Sequence, residues 1–123
     1  MISFNEAIAI HELLIESFGG SKGIRDKAAL QSALSRPFQT FEQNDLYPNA
    51  EDKAAAILES VIVNHPFIDG NKRMGYIFMR LTLLQFGMDL QATQDEKFEM
   101  VMAVAKGEMN FEEIRKWIRI KLK

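Results

Sequence analysis

NHPFIDGNKRMGYIFMRLTLLQFG, Asn64 to Gly87, is the stretch whose reading decides the fold, because a short loop turns there into a long apolar-periodic segment. From Asn71 onward, Met74, Ile77, Phe78, Leu81, Leu84 and Phe86 recur at helical spacing with few polar positions between them. This predicts the central, most buried helix of the domain, stopping at Gly87. The start of that helix breaks a local rule. A helix N-terminus carries about half a positive charge and favours Asp or Glu in its first turn, yet Lys72 and Arg73 stand there side by side. Such a violation marks a candidate functional site.

Upstream of the loop, Asn49 can cap a helix with Glu51 and Asp52 in its first turn. Ala54, Ala55, Leu58, Val61 and Ile62 form its buried face, and it ends at Asn64, just before His65 and Pro66. FQTFEQNDLYPN, residues 38–49, has no helical period. It reads as a loop or small hairpin, either a lid or binding segment or a surface excursion pinned by its aromatics. Asp26 caps a shorter helix through Ala28, Leu30, Ala33 and Leu34, which stops near Arg36 because Pro37 disfavours helical backbone before it. Ser3 with Glu6 makes a capping box for a first helix, whose apolar period runs from Phe4 through Ala7, Ile8, His11, Leu14 and Ile15 to Phe18 and stops at Gly19 and Gly20.

Downstream, Thr93 with Glu96 and Asn110 with Glu113 mark two more helix starts. The first carries Phe98, Val101, Met102 and Ala105 to a stop at Gly107, and the second carries Ile114, Trp117 and Ile118. The last helix is basic toward its end, with Arg115, Lys116, Arg119, Lys121 and Lys123, which complements the helix C-terminus or offers a partner patch. No repeat or linker divides the chain. The sequence therefore predicts one all-α domain over residues 1–123, with about six helices and any β structure confined to residues 38 to 48.

Composition excludes several classes. With 47% hydrophobic and 26% charged residues in 123, the chain reads as globular and large enough to bury a core without staples. It has no Cys, so no disulfide or thiolate site can form, which suits a reducing cytoplasm. Glu6, Glu12 and Glu16 interrupt the first apolar run, so it does not read as a signal peptide, and no run is long enough to span a bilayer. A net charge of −2 argues against direct nucleic-acid binding.

Each residue of the loop has a chemical use. Gly70 and the free amides at the helix start can form an anion nest, for which Lys72 and Arg73 become ligands and Asn71 can orient an oxygen. Asp69 can supply the carboxylate that a hard cation bridging phosphates needs. His65 can accept a proton near neutral pH. Together these point to phosphoryl or nucleotidyl transfer. The plainer readings are an ordinary Asp-Gly turn, a structural His before Pro, and Phe67 and Ile68 as core anchors. A Walker-type loop and an HExxH zinc motif are both absent.

HPFIDGNKR resembles the signature of the Fic/Doc superfamily: His, any residue, Phe, any residue, Asp or Glu, Gly or Ala, Asn, Gly or Lys, Arg. GIRDKAALQSALSRP and EDKAAAILESVIVNHPF are similar to stretches of its death-on-curing branch, and about two thirds of the chain is covered. The resemblance implies a helical Fic/Doc-like domain using ATP and Mg2+, with His65 as catalytic base and Asp69 associated with the metal. Gly70, Asn71, Lys72 and Arg73 would bind phosphate. Thr40, Phe41, Leu46 and Tyr47 fall where the family has a flap that docks the target peptide in extended form.

Two departures bear on the chemistry. AMP-transferring members usually have Gly where Lys72 stands and a second Arg where this chain has Tyr76. The death-on-curing branch shares the Lys, which implies phosphorylation of a protein hydroxyl, a threonine of elongation factor Tu, with arrest of translation. AMP transfer and a catalytically silent nucleotide-binding module are the alternatives. No inhibitory pattern of Ser or Thr, then Glu four residues on, then Gly or Asn occurs in the chain, so the resemblance implies a separate antitoxin acting in trans. Arg80, about 10 Å along the helix from Arg73, receives no role.

Overall fold

The computed structural model describes residues 1–123 and contains six helices: α1 Phe4–Phe18, α2 Lys27–Ser35, α3 Ala50–Asn64, α4 Asn71–Gln85, α5 Gln94–Ala105 and α6 Phe111–Lys121. Three of their starts are capping boxes, in which the cap side chain takes the amide three residues on and that residue's carboxylate takes the cap's own amide: Ser3 with Glu6, Thr93 with Glu96 and Asn110 with Glu113. At α3 the amide of Asn49 donates to the Asp52 carboxylate at 3.2 Å. Asp26 caps α2 through the amide of Ala29 at 3.0 Å, and Pro37 turns the chain into a short 3-10 segment, Arg36–Phe38. None of the helices is long and apolar enough to cross a membrane.

Helix α3, rather than α4, is the centre of the molecule. Eleven of its fifteen residues are buried, against seven of fifteen in α4. The reason lies in side-chain size. Ala54, Ala55 and Ala56 leave room for neighbours all around α3, whereas the apolar run of α4 outlasts its buried face, leaving Leu84 and Phe86 about half exposed. Gly75 lets the two helices meet closely: a Cβ there would lie 2.8 Å from Cγ1 of Ile62. The α3 and α4 pair forms a wall with a core on each side. One core gathers Leu58, Ile62, Met79 and Leu83 with α5 and α6, and the other gathers Ile57, Val61, Met74 and Phe78 with α1, α2 and Phe67.

Between the 3-10 segment and α3, strands β1 Thr40–Phe41 and β2 Asn44–Asp45 pair antiparallel, Thr40 opposite Asp45 and Phe41 opposite Asn44. Glu42 and Gln43 make the two-residue turn, both with positive φ, 51° and 70°. This is the backbone twist that tight hairpins favour. The basic end of α6 is ion-paired onto its neighbours through Arg119 to Glu51 and Lys121 to Glu96, with Arg115 between Glu112 and Asp52, so most of its charge has internal partners.

Candidate active site

Helix α3 ends in His65, whose backbone is left-handed at φ 50° and ψ 61°. That conformation costs a residue with a Cβ about 1 to 2 kcal/mol, so its surroundings must hold it. The ring is held too. Nδ1 lies 3.1 Å from the carbonyl of Val63, and a carbonyl only accepts, so Nδ1 carries the proton. Nε2 is left as a free acceptor on an exposed side chain.

The loop that follows is fastened from within. Asn71, nearly buried, accepts from the Phe67 amide and donates to the Phe67 carbonyl, both at 3.0 Å, which closes the loop onto the start of α4. Its amide group thus shapes the loop, with one N–H left for any other partner. Phe67 is buried and stacks on His11 of α1, ring centroids 4.1 Å apart and planes within 6°. Ile68, expected in the core beside it, is 57% exposed: Phe67 takes the inward position, and the Ile68 side chain lies at the surface over Gly23.

Gly70 begins α4 in the left-handed region, φ 78°, where a side chain would be strained. The first helical hydrogen bond runs from the Met74 amide to the Gly70 carbonyl, leaving the amides of Asn71, Lys72 and Arg73 without a protein acceptor. The carboxylate of Asp69 sits beside them, accepting from the amides of Gly70 at 2.9 Å and Ser21 at 3.2 Å. Lys72 and Arg73 are exposed and have no carboxylate partner. The guanidinium of Arg73 lies over the ring of Phe18, 4.4 Å from its centroid. Both cations border an open groove of about 470 Å³ between α1, α4 and α5, walled by Leu14, Phe18, Tyr76 and Phe98 among others, with Lys97 also on it.

The hairpin stands apart from this loop, with no hydrogen bond or ion pair to residues 65–73. Thr40, Phe41 and Leu46 are exposed. Tyr47 is an anchor instead: its hydroxyl accepts from Nε of Arg36 at 2.9 Å and its ring meets Phe111 edge-on. Arg36 ties that anchor to α3 through Glu59, Ser60 and the Ala56 carbonyl. Burial disfavours the Arg36 charge, but Tyr47 and Glu59 more than offset it and its pKa is raised. Arg80 is engaged elsewhere, with two 3.0 Å bonds to Asp89, which together with the Leu90 amide hold that carboxyl down to about 2.

Two contributors escape a reading of the sequence. His11 looks like one more position in the apolar period of α1, yet its Nε2 lies 2.8 Å from the carbonyl of Asp69. Arg25 precedes a capping Asp and carries no local signal, and its guanidinium reaches the carboxyl end of α3. A lone His on an otherwise apolar stripe was the available hint for the first. Nothing nearby hinted at the second.

An imidazole whose Nδ1 meets a backbone carbonyl stands just ahead of a Gly-initiated, cation-bearing helix start. A family model described as the Fic/DOC family matches residues 1–83, from α1 to near the end of α4, and the chain belongs to that family. It is similar to Toxin Doc of Mycolicibacterium smegmatis (strain ATCC 700084 / mc(2)155), 37% identical over 84 residues. The match spans 65% of this chain and 65% of that relative, just under two thirds of each.

Proposed function

We propose that this protein is a death-on-curing-like toxin that acts in the cytoplasm, transferring the γ-phosphoryl group of ATP to a protein hydroxyl and so arresting translation. The target on this reading is a threonine of elongation factor Tu. The observation that carries it is the junction of α3 and α4: an imidazole with Nε2 free, followed by three unengaged amides and two unpaired cations. The hydroxyl proton passes to Nε2 of His65 as the oxygen bonds the γ-phosphorus. The bond from that phosphorus to the β–γ bridging oxygen breaks, and ADP leaves. The amides of residues 71–73, with Lys72 and Arg73, hold the phosphate oxygens. Lys72 fills the space that a Gly would leave open, which favours presentation of the γ-phosphate over the α-phosphate.

The chain's donors suit Mg2+. No three acidic or His side chains cluster as a cage, and the carboxylate of Asp69, each of whose oxygens accepts one amide, keeps lone pairs beside the anion nest. That is the pattern for a hard cation held by one carboxylate, phosphates and water. When bound, it neutralises charge across the phosphates. The groove beside Arg73 is apolar with a cationic rim of Lys72, Arg73 and Lys97, which suits an antitoxin's amphipathic helix bearing acidic residues. Incubation with Mg2+, a cell extract and ATP labelled at either the γ or the α position tests the reading. Label from the γ position on protein is expected, whereas label from the α position alone would replace phosphorylation with AMP transfer.

A further inference from the structure

The backbone of His65 is held from a place far away in sequence. Its amide donates to the Val61 carbonyl at 3.2 Å, which is the end of α3's own ladder. The carbonyls of Asn64, His65 and Pro66 are then held by the connection between α1 and α2. Nε of Arg25 donates to the His65 carbonyl at 2.6 Å and Nη2 donates to the Asn64 carbonyl at 2.5 Å, so one guanidinium holds the carbonyls of the helix's last residue and of its cap. The amides of Arg25 and Asp26 both donate to the next carbonyl, that of Pro66, at 2.8 and 3.0 Å. Ile24 bridges Phe67, and Ile68 donates to Gly23 at 3.1 Å.

This arrangement answers the question that the left-handed backbone of His65 raises. Helix C-termini attract cations, but a Lys at this position could satisfy one carbonyl at a time, whereas the planar fork of Arg reaches two in fixed geometry. With the carbonyls of Asn64 and His65 fixed, the Cα–Cβ bond of His65 has one direction. The ring then meets the Val63 carbonyl through Nδ1 and turns Nε2 outward.

We infer that Arg25 is a positioning residue for the reaction: by clamping the Asn64 and His65 carbonyls it holds His65 in the left-handed backbone and Nδ1–H tautomer that leave Nε2 free as base. The inference rests on the reading of His65 as that base, but its structural half can be measured without turnover. The chain has two imidazoles, and they hold opposite tautomers. His11 must carry its proton on Nε2 to donate to Asp69, while His65 carries it on Nδ1.

The experiment is a long-range proton–nitrogen correlation spectrum of 15N-histidine protein, taken for the parent, Arg25→Ala and Arg25→Lys, with His65→Gln assigning the signals. In Arg25→Ala the His65 signals are expected to move from the pure Nδ1–H pattern to a mixture of tautomers while His11 keeps its pattern. Arg25→Lys should lie between. A misplacement of about 1 Å costs on the order of 100-fold in rate, so phosphoryl transfer by Arg25→Ala should fall ~10- to 100-fold in kcat, with the KM for MgATP unchanged. A His65 spectrum identical to the parent's in a folded Arg25→Ala protein overturns the inference. So does a fall confined to KM. If Arg25→Ala does not fold, Arg25→Lys decides by the same criteria. Failure of the base reading shows separately, as transfer that survives His65→Gln.

Discussion

His11 donates from Nε2 to the carbonyl of Asp69, 2.8 Å away and 58 positions along the chain, while its ring lies flat on Phe67. One buried imidazole thereby fastens the two ends of the loop, its aromatic anchor and its acidic turn, onto α1. His11→Ala removes the bond, leaves the Asp69 carbonyl unsatisfied and opens a cavity against Phe67. A loss of about 2 to 4 kcal/mol is expected in urea denaturation and, on the proposed function, weaker MgATP binding.

Asn71 occupies the position that looks most like a phosphate ligand, yet both faces of its amide serve the Phe67 backbone. Asn71→Ala should cost ~1 to 3 kcal/mol in the same measurement, because a buried amide and a buried carbonyl lose their partners. A variant as stable as the parent would show that the loop does not depend on this closure.

Lys72 should behave in the opposite way. It is exposed and unpaired in the free protein, so Lys72→Ala is expected to alter stability by less than about 0.5 kcal/mol. On the proposed function, loss of this cation should nonetheless lower the transfer rate roughly 100-fold. Parallel denaturation and γ-label assays on the one variant check both halves.

These contrasts show what was legible in the sequence. Helix starts were, because Ser3, Asp26, Thr93 and Asn110 act on amides three residues on, and Asp52 on the amide of Asn49, so local chemistry is written locally. The loop from His65 to Arg73 was legible as a motif for the same reason. Rank of burial was not: α4 has the stronger apolar run, but α3, with its small Ala54, Ala55 and Ala56, is the helix that others can surround. Nor was the clamp of Arg25 or the tether of His11, since they act across 40 and 58 positions of the chain. Tyr47 reads as part of an exposed flap, and only its contacts with Arg36 and Phe111 make it the flap's root.

The Arg80 and Asp89 pair gives a pH test. The Asp89 carboxyl is lowered from 3.8 to about 2, first by Arg80 and then by the Leu90 amide, so the fold favours its ionised form. Its contribution should be complete above about pH 4 and lost as the pH falls through about 2. Asp89→Asn is therefore expected to be less stable than the parent at neutral pH, with the gap narrowing only over that acid interval. A gap that stays constant down to pH 2 would remove the carboxylate as its cause.

On the proposed function, His65 and Lys72 direct the γ-phosphate of ATP onto a protein hydroxyl. Intact-mass and peptide mass spectrometry of purified elongation factor Tu, incubated with this protein, ATP and Mg2+, tests it most directly. The expected result is the added mass of one phosphoryl group on a threonine, absent when His65→Ala replaces the parent; an added adenylyl group, or a phosphoryl group that still appears with His65→Ala, would contradict it.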